Sequence, residues 1–219
     1  MALSRTGQAL AVLALLLVAG CATDRTGSSG PSVAPSPASG SPTASSTPTP
    51  TPTLTKAADP ELRRELLTML AADQKDRADP EAGVGGDQER TERLGQIVAE
   101  HGWPTRTLVG EDGATAAWAI AQHSDLDPVF QREMLELMGR AAAAGEADRG
   151  ELAYLTDRVA ANAGQPQTYG TQMGCGPDGK PQLAPLAEPD RVDQLRAEAG
   201  LPTLAEYLVE LEKVCAEPQ

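Results

Sequence analysis

Aromatic side chains, histidine and cysteine are all scarce in this chain of 219 residues. It holds one Phe, two Trp, three Tyr, two His and three Cys. Two histidines are too few for a zinc signature, and the chain has no Walker loop, dinucleotide fingerprint, GxSxG elbow or HExxH motif. The familiar catalytic templates therefore do not apply, and no cofactor or metal ion is expected.

The chain also lacks an apolar run long enough to span a membrane as a helix. Its first run, Leu10 to Val18, has about half the required length. The run follows Arg5 and ends at small Ala19 and Gly20, which is typical of a secretory signal. Cys21 comes directly after, and this arrangement resembles the lipobox of bacterial lipoproteins.

The resemblance implies cleavage after residue 20 and a diacylglycerol joined by a thioether to Cys21, with palmitate as a typical acyl chain. Two acyl chains hold a protein on a bilayer, whereas one binds only marginally. The expected location is the extracytoplasmic side of the cell membrane, with the lipid bilayer as a partner through Cys21. An ordinary secretory signal followed by a coincidental cysteine is the alternative.

Composition divides the mature chain into a linker and one domain. Residues 21–55 are mostly Ser, Thr, Pro, Gly and Ala, so they cannot bury enough apolar surface to fold. Removing Arg5, Asp24 and Arg25 from the totals of 18 basic and 31 acidic residues leaves 16 and 30 in residues 56–219, a net charge of −14. Such a surface excludes nucleic acid as a partner.

Two cysteines remain if Cys21 carries lipid. Cys175 and Cys215 form an even pair, and an oxidising compartment favours a disulfide between them. Two unpaired buried thiols are the alternative.

Apolar residues recur at helical spacing through residues 56–219. Asp59-Pro60 and Asp127-Pro128 each combine an N-cap with proline at the first helical position. Residues 167–186 are rich in Gly and Pro and predict a small β-hairpin or ordered loop. We expect a mainly α fold, a compact bundle of about six or seven helices. The helices are expected to begin near Asp59, Asp87, Gly113, Asp127, Gly150, Asp190 and Thr203.

Polar residues extend two of the apolar stripes. Asp73, Gln74 and Arg77 prolong the buried face of the first helix, where polar groups must find partners. Asp73 and Arg77 lie four residues apart and could simply pair with each other. His101 extends the stripe of the second helix, where a histidine more often satisfies the last carbonyls than binds a metal.

The densest polar segment runs from Gln122 to Pro128. His123, Asp125 and Asp127 could supply a metal site or a base oriented by an acid. Each also has a structural role available, because Asp127 suits an N-cap, Asp125 a turn and His123 a helix end.

Further polar candidates lie downstream, where they could line a ligand pocket or stitch an edge strand to the helices. They are Gln131, Asp157, Arg158, Tyr169 and Gln172.

Several short motifs together resemble an uncharacterised bacterial family, one of those catalogued as a domain of unknown function. The likeness covers nearly the whole domain and implies its extent but no activity. The motifs are Asp73-Gln74 with Arg77, His101-Gly102-Trp103-Pro104, Val109-Gly110, Gln122-His123 with Asp125, Asp127, Phe130 and Gln131, Asp157-Arg158, Tyr169-Gly170-Thr171-Gln172, and Gly200-Leu201-Pro202 before Leu204-Ala205-Glu206-Tyr207.

Two functional hypotheses follow from the sequence, which does not decide whether the chain is an enzyme. The first is a module on a lipid tether that binds a small polar ligand or a partner in the cell envelope. The second is a hydrolase in which His123 is the general base, oriented by Asp125 or Asp127, with Arg77 or Arg158 polarising the substrate.

Overall fold

A computed structural model of the chain describes residues 57–79 and 85–216, all within one compact unit. The predicted signal, Cys21 and linker lie outside these residues. The described part contains seven α-helices, none of which is both long and apolar enough to cross a membrane. The helices are α1 Pro60–Ala78, α2 Asp87–His101, α3 Arg106–Gln122, α4 Pro128–Ala143, α5 Arg149–Asn162, α6 Val192–Glu198 and α7 Leu204–Cys215.

Side-chain caps set several helix starts. Asp59 accepts hydrogen bonds from the backbone N–H groups of Glu61 and Leu62, and Asp127 accepts one from Phe130. Thr203 forms a capping box at the start of α7. The predicted mainly α fold is confirmed. Local capping signals of this kind made it predictable from the sequence.

Helix α3 forms the centre of the bundle, because α1, α2, α4 and α5 all pack against it. Small side chains on α3 let these neighbours approach closely, and larger apolar groups fill the space between them. The buried α3 residues include Ala116, Ala117, Ile120 and Ala121, and the larger groups around them include Leu66, Leu94, Ile97, Met138 and Leu155.

A short hairpin and a disulfide complete the fold. Strand β1, Met173–Cys175, pairs antiparallel with β2, Pro181–Leu183. Cys175 is bonded to Cys215 at the end of α7, with the two Cα atoms 5.4 Å apart. The predicted hairpin and the predicted disulfide are both confirmed.

Candidate functional site

Buried charged side chains gather where the C-terminus of α1, the N-terminus of α2 and the C-terminus of α3 meet. Asp73 lies on the same buried face of α1 as Leu66. Because this face packs against α3, the Asp73 side chain meets His123 at the end of α3. Thr91 of α2 donates to Ser124 Oγ at 2.9 Å and ties α2 to the same place. We call this set the His123 cluster. It comprises Asp73, Arg77, Asp87, Arg90 and His123.

The Asp73 carboxylate and the His123 imidazole form the centre of the cluster. His123 Nδ1 lies 2.9 Å from both carboxylate oxygens of Asp73. Asp73 is completely buried, and His123 is 6% exposed. Burial raises the pKa of the Asp73 carboxyl, but the hydrogen bond and charge of His123, together with Arg77, outweigh burial and hold the pKa below its ordinary value. Asp73 is therefore an ionised acceptor at neutral pH.

The neighbours of His123 decide which ring nitrogen carries the proton. Nδ1 lies 2.9 Å from Arg77 Nε as well as from Asp73. A guanidinium only donates and a carboxylate only accepts, so an unprotonated Nδ1 would oppose its lone pair to two carboxylate oxygens. The contacts are satisfied when Nδ1–H donates to Asp73 and Arg77 Nε donates to Asp73 Oδ1 at 3.1 Å. In the neutral imidazole, Nε2 then carries the lone pair, and no described residue donates a hydrogen bond to it.

Arg77 and Arg90 surround the two buried carboxylates of the cluster. Arg77 Nη2 lies 3.0 and 3.1 Å from the carboxylate oxygens of Asp87. Arg90 donates to Asp87 at 2.7 Å from Nη2 and to Asp76 at 2.7 Å from Nη1. Removing one partner of a buried ion pair costs about 3–5 kcal/mol, because the other charge stays buried alone. The members of the cluster therefore depend on one another.

Arg158, on α5, lies on the other side of the α3 C-terminus, and its side chain is 5% exposed. Nε donates to the Gln122 carbonyl at 3.3 Å and lies 3.2 Å from Asp125 Oδ1, and Nη1 donates to Gln172 Oε1 at 3.2 Å. Burial lowers the pKa of the guanidinium, Asp125 opposes that effect, and the positive charge of Arg77 adds to it. Arg158 and Arg77 are thus electrostatic neighbours that flank the end of α3.

Asp125 joins the end of α3 to α4 and α5. Besides Arg158, it accepts hydrogen bonds from Gln131 Nε2 at 3.1 Å and Asn162 Nδ2 at 2.8 Å. Gln131 is almost fully buried and also accepts from Asn162 Nδ2 at 2.9 Å. These contacts engage Asp125 away from the imidazole.

The segment 167–172 carries several of the predicted residues and is fixed by Asp157 of α5. The buried Asp157 carboxylate accepts from the N–H groups of Thr168 at 2.7 Å, Tyr169 at 3.1 Å and Thr171 at 2.9 Å. It also accepts from the Thr171 hydroxyl at 3.0 Å. Asp157 is therefore an anchor for backbone rather than a member of the His123 cluster.

Two further helices hold the same segment. Arg196 of α6 and Tyr207 of α7 donate to two of its backbone carbonyls, at 2.8 and 3.1 Å. A side chain whose backbone is held in this way has a fixed direction. Gln172 ends the segment and accepts from Arg158, so this support extends to the guanidinium beside the cluster.

The structure pairs His123 with Asp73, not with the Asp125 or Asp127 expected from the sequence. Asp127 caps α4 through the Phe130 N–H at 3.0 Å, which is the structural role the sequence also allowed. The Asp73–His123 contact joins residues 50 positions apart, so local spacing could not reveal it. Of the other predicted residues, Gln74 donates to Asp73 at 2.9 Å and belongs beside the cluster.

His101 lies apart from the cluster, at the opposite end of α2. Its side chain is 37% exposed and lies 3.7 Å from Glu100. It lines an open groove of about 410 Å³ beside Glu65 and Arg93, which form a surface ion pair. Nothing there fixes the imidazole through a buried partner, so we do not place function in this groove.

Sequence reasoning missed Asp87, Arg90 and Asn162. Asp87 and Arg90 lie seven and four residues before Leu94 and continue the buried stripe of α2 towards its start, a signal that was available. In residues 57–79 and 85–216, no group of three or more His, Cys, Asp or Glu side chains is placed to hold a metal ion.

Comparison with known proteins gives one result. Neither the curated proteins nor the solved structures contain a match to the chain. A family model described as a family of unknown function matches residues 60–216, a stretch that covers α1 to α7. The chain therefore belongs to the family of unknown function DUF6624.

Proposed function

We propose that this protein is an extracytoplasmic lipoprotein whose helical domain binds a small polar ligand at the His123 cluster. The lipobox at Cys21 and the linker of residues 21–55 support the anchor. The disulfide between Cys175 and Cys215 supports an oxidising compartment, because such bonds persist outside the reducing cytosol.

The observation that carries the binding proposal is the fixed imidazole of His123. Its Nδ1 is held by the buried Asp73, whereas Nε2 has no hydrogen-bond donor among the described residues. Nε2 is not among the buried polar atoms that the described residues leave without a partner, so solvent or a ligand can reach it. A ligand that donates to Nε2 would complete the site.

Stability alone does not account for the cluster. Asp73, Asp87 and Arg90 are all buried, and replacing buried ion pairs with apolar groups of similar volume is often neutral or stabilising by about 1–4 kcal/mol. Charged groups whose pKa values are shifted by burial and specific partners concentrate at functional sites. The pKa shifts of Asp73 and Arg158 fit that pattern.

A thermal-shift screen tests the proposal on the full-length chain in mild detergent. We expect at least one charged or polar small molecule to raise the Tm of the native chain but not of His123→Ala. His101→Ala is the matched control, because it removes the other histidine far from the cluster, and it should respond like the native chain. A response that survives in His123→Ala would contradict the proposal, as would the lack of any response in the native chain.

Hydrolysis is a second candidate, favoured by the contact between Asp73 and Nδ1 of His123, which is the arrangement of a general base oriented by an acid. Nε2 would take a proton from water as the water oxygen attacks, and the imidazolium would return that proton to the leaving group. Arg77 would stabilise negative charge on the attacked group.

Turnover distinguishes the two candidates. If general-base catalysis operates, the native chain should cleave chromogenic carboxylic esters or phosphate esters. The variants His123→Gln and Asp73→Asn should then be slower by about 100-fold or more. A ligand that binds through His123 but is never converted would reject hydrolysis and retain binding.

A further inference from the structure

We infer that the ligand group at this site is a phosphate in its hydrogen phosphate form, held between Arg77, Arg158 and His123. The inference rests on the proposed function, because it names the chemistry of the ligand at that same site. Its basis is the unused donors of Arg77 and Arg158 and the free acceptor of His123 around the end of α3.

Charges of both signs are present at the site, without an excess of positive charge. The carboxylates of Asp73 and Asp87 and the guanidiniums of Arg90 and Arg158 are buried and balance one another, and the Arg77 side chain is 20% exposed. Asp76 and Asp125 pair directly with Arg90 at 2.7 Å and with Arg158 at 3.2 Å. An anion at this site must therefore be bound by directed N–H donors rather than by net charge.

Two guanidiniums at the site have unused donors. Arg77 makes its contacts through Nε and Nη2, and Nη1 has no partner among the described residues. Arg158 uses Nε and Nη1, and Nη2 has no partner within the described ranges. Paired N–H groups of guanidiniums match the oxygens of phosphate and carboxylate. The site therefore offers donors on both sides of the α3 C-terminus.

The free acceptor decides between anions. When the imidazole is neutral, His123 Nε2 carries a lone pair, so it requires a ligand atom that donates a hydrogen bond. Ionised sulfate and carboxylate have only acceptors at neutral pH, whereas hydrogen phosphate combines one O–H with several acceptor oxygens. The O–H would donate to Nε2 while the other oxygens accept from Arg77 and Arg158, and no covalent bond is formed or broken.

The support of Arg158 is typical of a site that holds its ligand in a defined geometry. The guanidinium is fixed by Gln172, whose segment is anchored in turn by Asp157 and two other helices. Preorganised donors bind an anion without further ordering, which increases affinity. A surface ion pair would not require this second layer of contacts.

Phosphate would not bind non-specifically to the rest of the domain, because that surface is acidic. Residues 56–219 carry a net charge of −14, so the general surface repels anions. Binding of phosphate by such a protein therefore requires a local site.

Isothermal titration of the full-length chain in mild detergent, first with inorganic phosphate and then with sulfate at pH 7, tests the inference. We expect phosphate to bind at one site per chain and sulfate to bind about tenfold more weakly, because sulfate leaves Nε2 unpaired. In His123→Gln the side-chain amide can donate at the position of Nε2, so the preference for phosphate should fall towards unity.

Arginine variants locate the site. Arg77→Lys and Arg158→Lys should each weaken phosphate binding by about tenfold, because lysine loses the paired N–H geometry. Arg93→Lys is the matched control, since this guanidinium pairs with Glu65 away from the cluster. If Arg158→Lys unfolds, Gln172→Asn, which keeps the guanidinium but shortens its partner, carries the same expectation.

Three results would overturn the inference. They are equal affinity for phosphate and sulfate, phosphate binding that is unchanged in both Arg77→Lys and Arg158→Lys, and no heat with phosphate although another compound stabilises the chain through His123. The last result would leave the proposed function standing. If no compound of any class binds through His123, both proposals fail.

Discussion

Burial keeps the side chain of Glu151 partly protonated near neutral pH. Burial raises the pKa of its carboxyl to about 7, the hydrogen bond from Thr115 opposes the rise, and the charge of Asp148 adds to it. The Thr115 hydroxyl donates to Glu151 Oε1 at 2.6 Å. Because the pKa is higher in the folded state than in the unfolded state, folding is favoured below about pH 4.5 and this contribution is lost as pH rises through 7.

The substitution Glu151→Gln should therefore stabilise the domain at alkaline pH. The amide keeps an acceptor for Thr115 and cannot ionise, so the gain in free energy of unfolding should be about 2 kcal/mol at pH 8.5 and close to zero at pH 4.5. Urea unfolding of the native chain and the variant at both values measures the difference. Glu133→Gln, on an exposed part of α4, should show no such pH dependence. A gain that is equal at both pH values would contradict the prediction.

Single residues of the site could be chosen from the sequence, but their pairing could not. Asp73, Arg77 and His123 stood out because each prolongs or ends an apolar stripe. Their contacts join residues 46 and 50 positions apart, which depend on how α1 packs against α3. The nearby Asp125 and Asp127 were more obvious partners, but tertiary packing turns one towards Arg158 and local capping uses the other.

At the scale of elements, α3 consists of two helical pieces. Residues 106–109 form a single turn, the helix is interrupted at Gly110, where φ is 79° and ψ is 170°, and the longer piece that follows begins close to the predicted Gly113. Only glycine adopts this backbone region readily. The sequence could not distinguish a kink from a helix start, because glycine is compatible with both.

The conformation of Gly110 predicts opposite effects for alanine at two glycines. Gly110→Ala should lower the free energy of unfolding by about 1–3 kcal/mol, because alanine is strained at this positive φ. A steric clash would not contribute, because the nearest atoms to the new Cβ lie at 3.4 Å or more. Gly139→Ala, inside α4 with nothing within 4 Å of the new Cβ, should raise it by about 0.5–1 kcal/mol. Urea unfolding of both variants checks the signs, and destabilisation by both would contradict this account of α3.

Helix boundaries were otherwise accessible to local reasoning. Asp59-Pro60 and Asp127-Pro128 begin α1 and α4 as predicted, and Thr203 caps α7. Caps act within one turn of the backbone, so the sequence contains all the information that they need. The order in which helices pack, with α3 at the centre, depends on contacts that no local pattern records.

At the scale of the whole molecule, the disulfide joins the hairpin to the C-terminal helix. Cys175 and Cys215 are separated by 40 positions, and closing a loop of that length should stabilise the domain by about 4 kcal/mol in the chain-entropy model. Adding dithiothreitol should therefore lower the Tm of the native chain by several degrees in calorimetry. The double variant Cys175→Ala, Cys215→Ala should start at the lower Tm and not respond to reductant. A response in that variant would show that the effect has another origin.

In the proposed lipoprotein, the place of the whole molecule in the cell would depend on Cys21, which lies outside the described residues. The acidic domain is repelled by anionic lipid. Acyl chains on Cys21 would provide the attachment, at about 0.8 kcal/mol for each buried methylene.

We therefore expect the native chain to take up labelled fatty acid and to sediment with membranes, whereas Cys21→Ser should lose the label and become soluble. The variant Cys175→Ser, Cys215→Ser is the matched control, because it removes the other two thiols, and it should keep both the label and the membrane fraction. Mass spectrometry of the native chain should find a lipid on residue 21 and no peptide that begins at Met1. An unlabelled chain in the cytosol with an uncut N-terminus would contradict the anchor. Because the cytosol is reducing, that location would also make the Cys175–Cys215 disulfide unexpected.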